Sequence, residues 1–451
     1  MDFGPFDRLL AERQPRIIDD LRQLCAIPSE TAQTQPLATA SEWLAQRLRA
    51  AGCRVTTVEL PGAPALVVGD IGSGPKTLLA IQHYDVQPAD PLAEWETPPF
   101  SPAVRDGRLF ARGVVDNKGH LVTRIHVLEA YREAFGELPC QVRFLVEGEE
   151  ETGSPHLSAL LAKRPELAVA DGALNEGGQV DAADRPLLSC GVRGMLYVEV
   201  RVRTLAQDAH SMYASLLPNA GARLASALAT LVAPDGSVTI DGFLDDALPP
   251  SPRQLAHLDT LPFDERAFAA LHGATALVAG RTGRDAKLAQ IFSPTCNITG
   301  LTSGWMGPGT KTILPAVASA RLDLRLVPDQ DPLKVFEQLR WHLARRGFAD
   351  VELSLHSAER PYWTPIDDPL VRAAERATEA VYGAPGLRLI SGPGTAPMHP
   401  ICDPHKVPFV ALGMTHPDAR LHAPNENLRL DLVQPIARAT ARFVNEFADA
   451  G

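Results

Sequence analysis

The chain has 451 residues, is 45% hydrophobic and 22% charged, and carries a formal charge of −11 from 43 basic and 54 acidic residues. This is the composition of an ordinary globular protein of two or three domains, at about 150 residues each. The acidic balance argues against a nucleic-acid partner, no uninterrupted apolar stretch approaches the roughly 20 residues of a membrane span, and the first residues lack the basic start and apolar core of a signal peptide.

The N-terminal segment reads as an amphipathic helix with Leu9, Ile17, Ile18, Leu21 and Leu24 on one side. A helix over 37–52 ends at Gly52, and short strands follow near 54–60, 65–70 and 77–82. Residues 118–135 are helical by period, with Leu121, Ile125, Leu128 and Tyr131 on one face. A strand from Val142 to Val146, a helix near 156–164 and a strand at 172–175 come next. Such alternation indicates an α/β domain with a largely parallel sheet.

The pattern changes after Cys190. Leu196, Val198, Val200 and Val202 alternate strictly, as in a half-buried strand, and a helix is expected to start at Pro218. Alternation returns at 316–327, followed by a helix over 331–346. This is the pattern of a separate α+β domain, roughly 191–362. A helix at 369–382, strands near 387–391 and 407–412 and a helix at 432–448 restore the α/β character. The expected organisation is therefore one domain of residues 1–190 and 363–451 with 191–362 inserted into it. The six cysteines form no CxxC pair and suggest reduced, mostly buried thiols in a cytoplasmic protein.

Chemistry-bearing residues collect where apolar runs meet loops. His83 closes the strand at 77–82, and ligands gather at the carboxyl ends of strands in open α/β sheets. Asp85 can accept the other ring N–H of His83 and fix its tautomer. Asp116 lies between Gly113 and Gly119, just ahead of helix 118–135. Alone it reads as a capping or turn aspartate; in company it becomes a candidate bridge between two ions. Glu149, Glu150 and Glu151 directly follow an apolar strand and are bracketed by Gly148 and Gly153. Neighbours in an extended segment point to opposite sides, so one glutamate can bind metal while the next faces water. Glu176 follows another strand, and His422 lies in Arg-Leu-His-Ala-Pro-Asn-Glu. Imidazoles and carboxylates suit zinc and similar divalent ions, and a carboxylate beside them can serve as general base, so the pattern points to a metal-dependent hydrolase.

In this order the motifs resemble the aminoacylase, carnosinase and ArgE/DapE family of co-catalytic zinc peptidases and amidohydrolases, from about residue 20 to the C-terminus. The resemblance implies a zinc-peptidase catalytic α/β domain with an inserted α+β lid that mediates homodimers. It implies two divalent ions per subunit, with zinc expected and manganese or cobalt as alternatives. His83 would bind one ion and His422 the other, Asp116 would bridge, and Glu151 and Glu176 would each complete one shell. Glu150 would be the general base and Asp85 would orient His83. His210, in Asp-Ala-His-Ser, matches a lid histidine that stabilises the oxyanion of the partner's site. Met212 departs from the glycine common there. Arg325 resembles the arginine that holds the substrate carboxylate, and Gly394 and Thr395 lie in the matching glycine-rich loop. The Asp116–Asn117 peptide is expected to be cis, at about 3 kcal/mol without proline.

The implied activity is hydrolysis of the amide bond of a dipeptide or short peptide beside a free carboxylate. Two signals point to different branches. Glutamate at 176 is commoner among aminoacylases and carboxypeptidases, whereas the run from Ser391 to Asn427 looks dipeptidase-like. An N-acyl-amino-acid amidohydrolase or a carboxypeptidase is thus the alternative.

Overall fold

The computed structural model describes residues 1–31 and 33–450. Valine-, leucine- and isoleucine-rich runs that end on polar residues form the middle of a nine-stranded sheet. Its order is Arg54–Val58, Leu66–Ile71, Gln141–Glu147, Thr77–His83, Gly172–Asn175, Phe409–Ala411, Pro186–Ser189 and Leu387–Leu389, and Gln179–Val180 pairs with Pro186–Ser189. From Gln141–Glu147 through Phe409–Ala411 the strands run parallel. Their register sets His83 opposite Glu147 and Ala80 opposite Leu174, so the carboxyl ends of these strands meet at one edge.

Two compact units divide the chain. The first comprises Met1–Gly191, Trp363–Ser391 and Ala396–Gly451 and contains the nine-stranded sheet; the second comprises Val192–Tyr362 and Gly392–Thr395. In the first, helix Lys118–Phe135 packs on the N-terminal helices, and Pro369–Tyr382 packs on Val433–Asp449. Phe443, fully buried at 0% exposure, sits in that core. Phe443→Ala is expected to cost about 3–5 kcal/mol, read as a lower urea midpoint with an unchanged m-value.

The N-terminal segment is two helices, Gly4–Glu12 and Gln14–Cys25, where the sequence suggested one. Pro15 lies in the first turn of the second, a position it tolerates, whereas the interior of a continuous helix would lose a hydrogen bond and meet its ring. The break changes the buried face: Phe6 and Leu10 enter the core and Leu9 stays half-buried.

The second unit is built on a four-stranded antiparallel sheet in the order Thr295–Ser303, Val317–Leu326, Gly194–Arg203, Glu352–Glu359. Leu196, Val198, Val200 and Val202 point with Leu322 and Leu324 onto helices Ala220–Leu228 and Pro332–Arg345. The first of these helices starts at Ala220, not Pro218, because Asn219 caps it by accepting the Ala222 N–H at 3.1 Å. Helices Pro252–Thr260, Glu265–Leu271 and Gly283–Phe292, which the sequence reading left unassigned, lead into the edge strand Thr295–Ser303. Among the described residues no helix is long and apolar enough to cross a membrane. The six cysteines are unpaired; Cys296 is half-buried and the others are buried.

Candidate metal centre

His83, Asp85, Glu150, Glu151 and Glu176, at or just past the carboxyl ends of parallel strands, meet Asp116 from the loop ahead of helix Lys118–Phe135 and His422 from the loop ahead of strand Asn427–Arg429 in one cluster of the first unit. Strand Thr77–His83 delivers His83 at 0% exposure. Its Nδ1 lies 3.1 Å from the Asp85 carbonyl oxygen and 3.3 Å from the Asp85 carboxylate, which fixes the ring and leaves Nε2 facing the cluster. Asp85 also accepts the N–H groups of Glu150 at 3.3 Å and Glu151 at 3.1 Å, tying the two loops together.

Asp116 stands at the centre. One of its oxygens lies 3.2 Å from His83 Nε2 and the other 3.1 Å from His422 Nε2. Glu176 approaches His83 Nε2 at 3.6 Å, and Glu151 approaches His422 Nε2 at 3.3 Å. The result is two imidazole–carboxylate sets that share one aspartate. Ligand atoms of His83, Glu150 and Glu176, and those of His83, Asp116 and Glu151, lie within 4.8 Å of one another. The Asp116–Asn117 peptide is cis, and His422 adopts a left-handed backbone with φ +57°.

Charge decides what this arrangement can hold. Five carboxylates face two imidazoles, with His83, Asp85 and Glu176 buried, Asp116, Glu150 and Glu151 half-buried and His422 exposed. Burial pushes Glu176 up to about 7 against the pull of His83, with Asp116 and Glu151 adding to the rise. Burial and then the Glu176 charge hold Glu150 well above the usual carboxylate range. Hydrogen bonds to Asp116 and Glu151 raise His422 to about 10. Buried carboxylates are costly unless paired, so the excess negative charge creates a demand that divalent cations meet. The donor set is the nitrogen and oxygen chemistry of zinc, manganese or cobalt.

Sequence reasoning missed the residues that hold this shell in place. Glu426 accepts four donors around the Asp116 loop. Gln87 donates to a Glu151 carboxylate oxygen at 2.9 Å. His120 is kept neutral by burial, which lowers it to about 3; its Nε2 accepts the Met414 N–H at 2.9 Å and its Nδ1 lies 3.0 Å from the Val115 carbonyl. Arg124 donates to the carbonyls of Asn175 at 2.7 Å and Leu412 at 3.0 Å, steadying the strand end that carries Glu176.

The remaining candidates belong to the second unit. His210 is exposed on the short strand Ala209–His210, and its Nδ1 accepts the Met212 N–H at 3.0 Å. Arg325 donates to Thr395 Oγ1 at 2.8 Å and pairs with Asp323 at 3.1 Å. The Gly394 carbonyl accepts the Arg193 N–H at 2.9 Å. The first unit thus gathers the first seven candidates, five from strand ends and Asp116 and His422 from loops, and the second unit separately gathers Arg325, Gly394 and Thr395.

Two imidazole–carboxylate sets that share one aspartate, with a further glutamate beside them, are the donor set of a metal-dependent hydrolase. The chain matches the description Peptidase family M20/M25/M40 over residues 79–446, and it belongs to that family. It is 27% identical to the Beta-Ala-His dipeptidase of Rattus norvegicus over 396 residues, covering 82% of this chain and 80% of that one. It is 26% identical to the Cysteinylglycine-S-conjugate dipeptidase of Corynebacterium striatum over 453 residues, 96% of each. Among solved structures, the M20 family metallo-carboxypeptidase Sso-CP2 of Sulfolobus solfataricus superposes with a TM-score of 0.90 at 32% identity, over 96% of this chain and 99% of that one.

Proposed function

We propose that this protein is a dipeptidase that cuts the amide bond beside a free carboxylate, with two divalent ions held by His83, Asp116 and Glu176 on one side and by His422, Asp116 and Glu151 on the other. The observation that carries this reading is Asp116, whose two oxygens face two different imidazoles at 3.2 and 3.1 Å. Bound there, the ions supply Lewis acidity to water and to the scissile carbonyl. Glu150 takes the proton of the attacking water and returns it to the leaving amine. Asp85 keeps the His83 ring in its ligand orientation. His210 donates to the carbonyl oxygen in the partner subunit's site as that oxygen gains charge. Arg325, held by Thr395, anchors the substrate carboxylate.

The two dipeptidase relatives support the dipeptide class. A second reading, carboxypeptidase, is favoured by Glu176 and by the 32% identical metallo-carboxypeptidase Sso-CP2. Zinc is the proposed metal, with manganese and cobalt suited to the same donors. A homodimer through the second unit is proposed from its exposed edge strand, where Ile298 is 45% and Leu301 61% exposed; unpaired edges of this kind invite a second strand. The unpaired cysteines support a reducing, cytoplasmic setting.

Exhaustive chelation tests the metal requirement directly: dipeptide cleavage should vanish and return as two equivalents of zinc or manganese are restored. Cleavage that survives complete metal removal contradicts the proposal. His210→Ala should lower kcat by about a hundredfold to a thousandfold with metal content unchanged, as for other oxyanion donors. Arg325→Gln should lose about 1.5–3 kcal/mol of charge-assisted binding, roughly a tenfold to hundredfold rise in KM. It should also erase the preference for a dipeptide over its C-terminal amide, a comparison that separates lost recognition from lost stability.

A further inference from the structure

We propose that Glu426 is a positioning residue that locks the Asp116 loop to the His422 loop, so that the two metal ions bind as a pair. The inference rests on the two-ion reading above. Glu426 is 1% exposed. One carboxylate oxygen accepts the N–H groups of Val115 at 2.9 Å and Asp116 at 3.2 Å. The other accepts the Gly113 N–H at 2.8 Å and Arg112 Nη1 at 2.9 Å. Its own main-chain carbonyl accepts the Ala111 N–H at 3.2 Å. Five of the six residues from 111 to 116 therefore converge on one residue, and the Val114 N–H closes the turn on the Ala111 carbonyl at 3.4 Å.

That residue sits four positions after His422, on the same loop. Asn425 pins the loop on its other side, accepting the Glu96 N–H and donating to the Glu94 carbonyl, each at 2.9 Å. His422 and Asn425 both have positive φ, at 57° and 63°, a left-handed backbone region that few residues other than glycine adopt, asparagine and histidine being among those that do. Placing Asp116 between two imidazoles thus requires both loops in register, and Glu426 is the side chain common to them.

The chemistry of the contact demands a carboxylate. Both oxygens face only donors, and a carboxylate accepts without donating. A glutamine of the same shape places an NH2 against either Val115 and Asp116 or Gly113 and Arg112. Arg112 is itself 1% exposed, so loss of its charged partner leaves a buried cation uncompensated. Groups that support metal ligands from behind cost about tenfold to hundredfold in metal affinity when altered.

The experiment is calorimetric titration of metal-free protein with Zn2+ alone, for wild type, Glu426→Gln, Glu426→Asp and Leu44→Ala. The last creates a core cavity at a 0% exposed residue of helix Thr34–Ala50, which supplies none of the cluster's side chains, and serves as the stability control. The melting temperature of each metal-free protein is recorded alongside. Wild type should take up two ions. Both Glu426 variants should bind both ions about tenfold to hundredfold more weakly. Leu44→Ala should bind as wild type despite a lower melting temperature. Wild-type affinity in a folded Glu426 variant overturns the proposal, as does an equal loss of affinity in Leu44→Ala. If the glutamine variant does not fold, the aspartate variant, which keeps the charge but withdraws it by one methylene, decides alone. Wild type that takes up no zinc removes the two-ion reading itself, a result distinct from variants that match a two-ion wild type.

Discussion

Replacing Glu150 by alanine should lower kcat for dipeptide hydrolysis by about a hundredfold to ten-thousandfold, the range for loss of a positioned general acid–base. Metal stoichiometry should stay at two. The distinction matters because Glu150 lies among residues with a different proposed task. Its main chain is held by Asp85 at 3.3 Å, and its side chain shares the 4.8 Å neighbourhood of His83 and Glu176. A group that moves a proton can be deleted without emptying the shell. An unchanged kcat contradicts the role; a lost ion reassigns Glu150 as a ligand. Two rival views of this chain, a catalytically silent binding protein and an acidic structural protein, both predict no effect on whatever activity is measured.

Asp116→Asn should have a comparable effect by another route. The substitution keeps the shape and removes the charge that both imidazole sets share. Metal content should fall below two per chain and hydrolysis by at least about a thousandfold, because Lewis-acid stabilisation is worth several kcal/mol and each 1.36 kcal/mol is tenfold in rate. Metal analysis after gel filtration, followed by turnover at saturating zinc, reads both. Retention of two ions with full turnover contradicts a bridging role. Together the variants separate two proposed kinds of carboxylate: loss of one should stop proton transfer with the ions in place, and loss of the other should disperse the ions.

Much of this was legible because strand-end chemistry leaves a compact trace in sequence. An apolar run that stops at His83, another that stops ahead of Glu149 and a third that stops at Glu176 are visible without coordinates, and their convergence follows from a parallel sheet. The alternation of Leu196 to Val202 likewise marked the change to the second unit's antiparallel sheet.

What stayed hidden was burial of polar groups. Helix Lys118–Phe135 shows an apolar stripe at Leu121, Ile125, Leu128 and Tyr131, and periodicity says nothing of its polar residues. In the structure Lys118, His120, Thr123, Arg124 and His126 are buried as well. His120 and Arg124 serve as struts to neighbouring loops, and Lys118 donates to the carbonyls of Leu24 at 3.1 Å and Ile27 at 3.0 Å. Periodicity reports hydrophobicity and carries no signal for a buried cation whose partners are distant carbonyls. Glu426 was hidden for the same reason: its donors lie more than 300 residues away in the chain. The N-terminal break at Arg13 was within reach, since Pro15 marks it. The helices between 252 and 292 are short and leave much of their surface exposed, so their apolar periodicity is weak.

The most direct test of the proposed activity is hydrolysis of a mixed panel by metal-free protein reloaded with zinc or manganese. The panel should contain free dipeptides, the same dipeptides blocked at the amine, longer peptides and N-acetylated amino acids. Metal-dependent cleavage of the free dipeptides, with kcat/KM reduced by the amine block, is the predicted result. Efficient trimming of blocked or longer peptides from the carboxyl end would move the protein to the carboxypeptidase reading, and cleavage of the acetylated set alone to the acylase branch. No cleavage of any member, with two ions bound per chain, would contradict the proposed function outright.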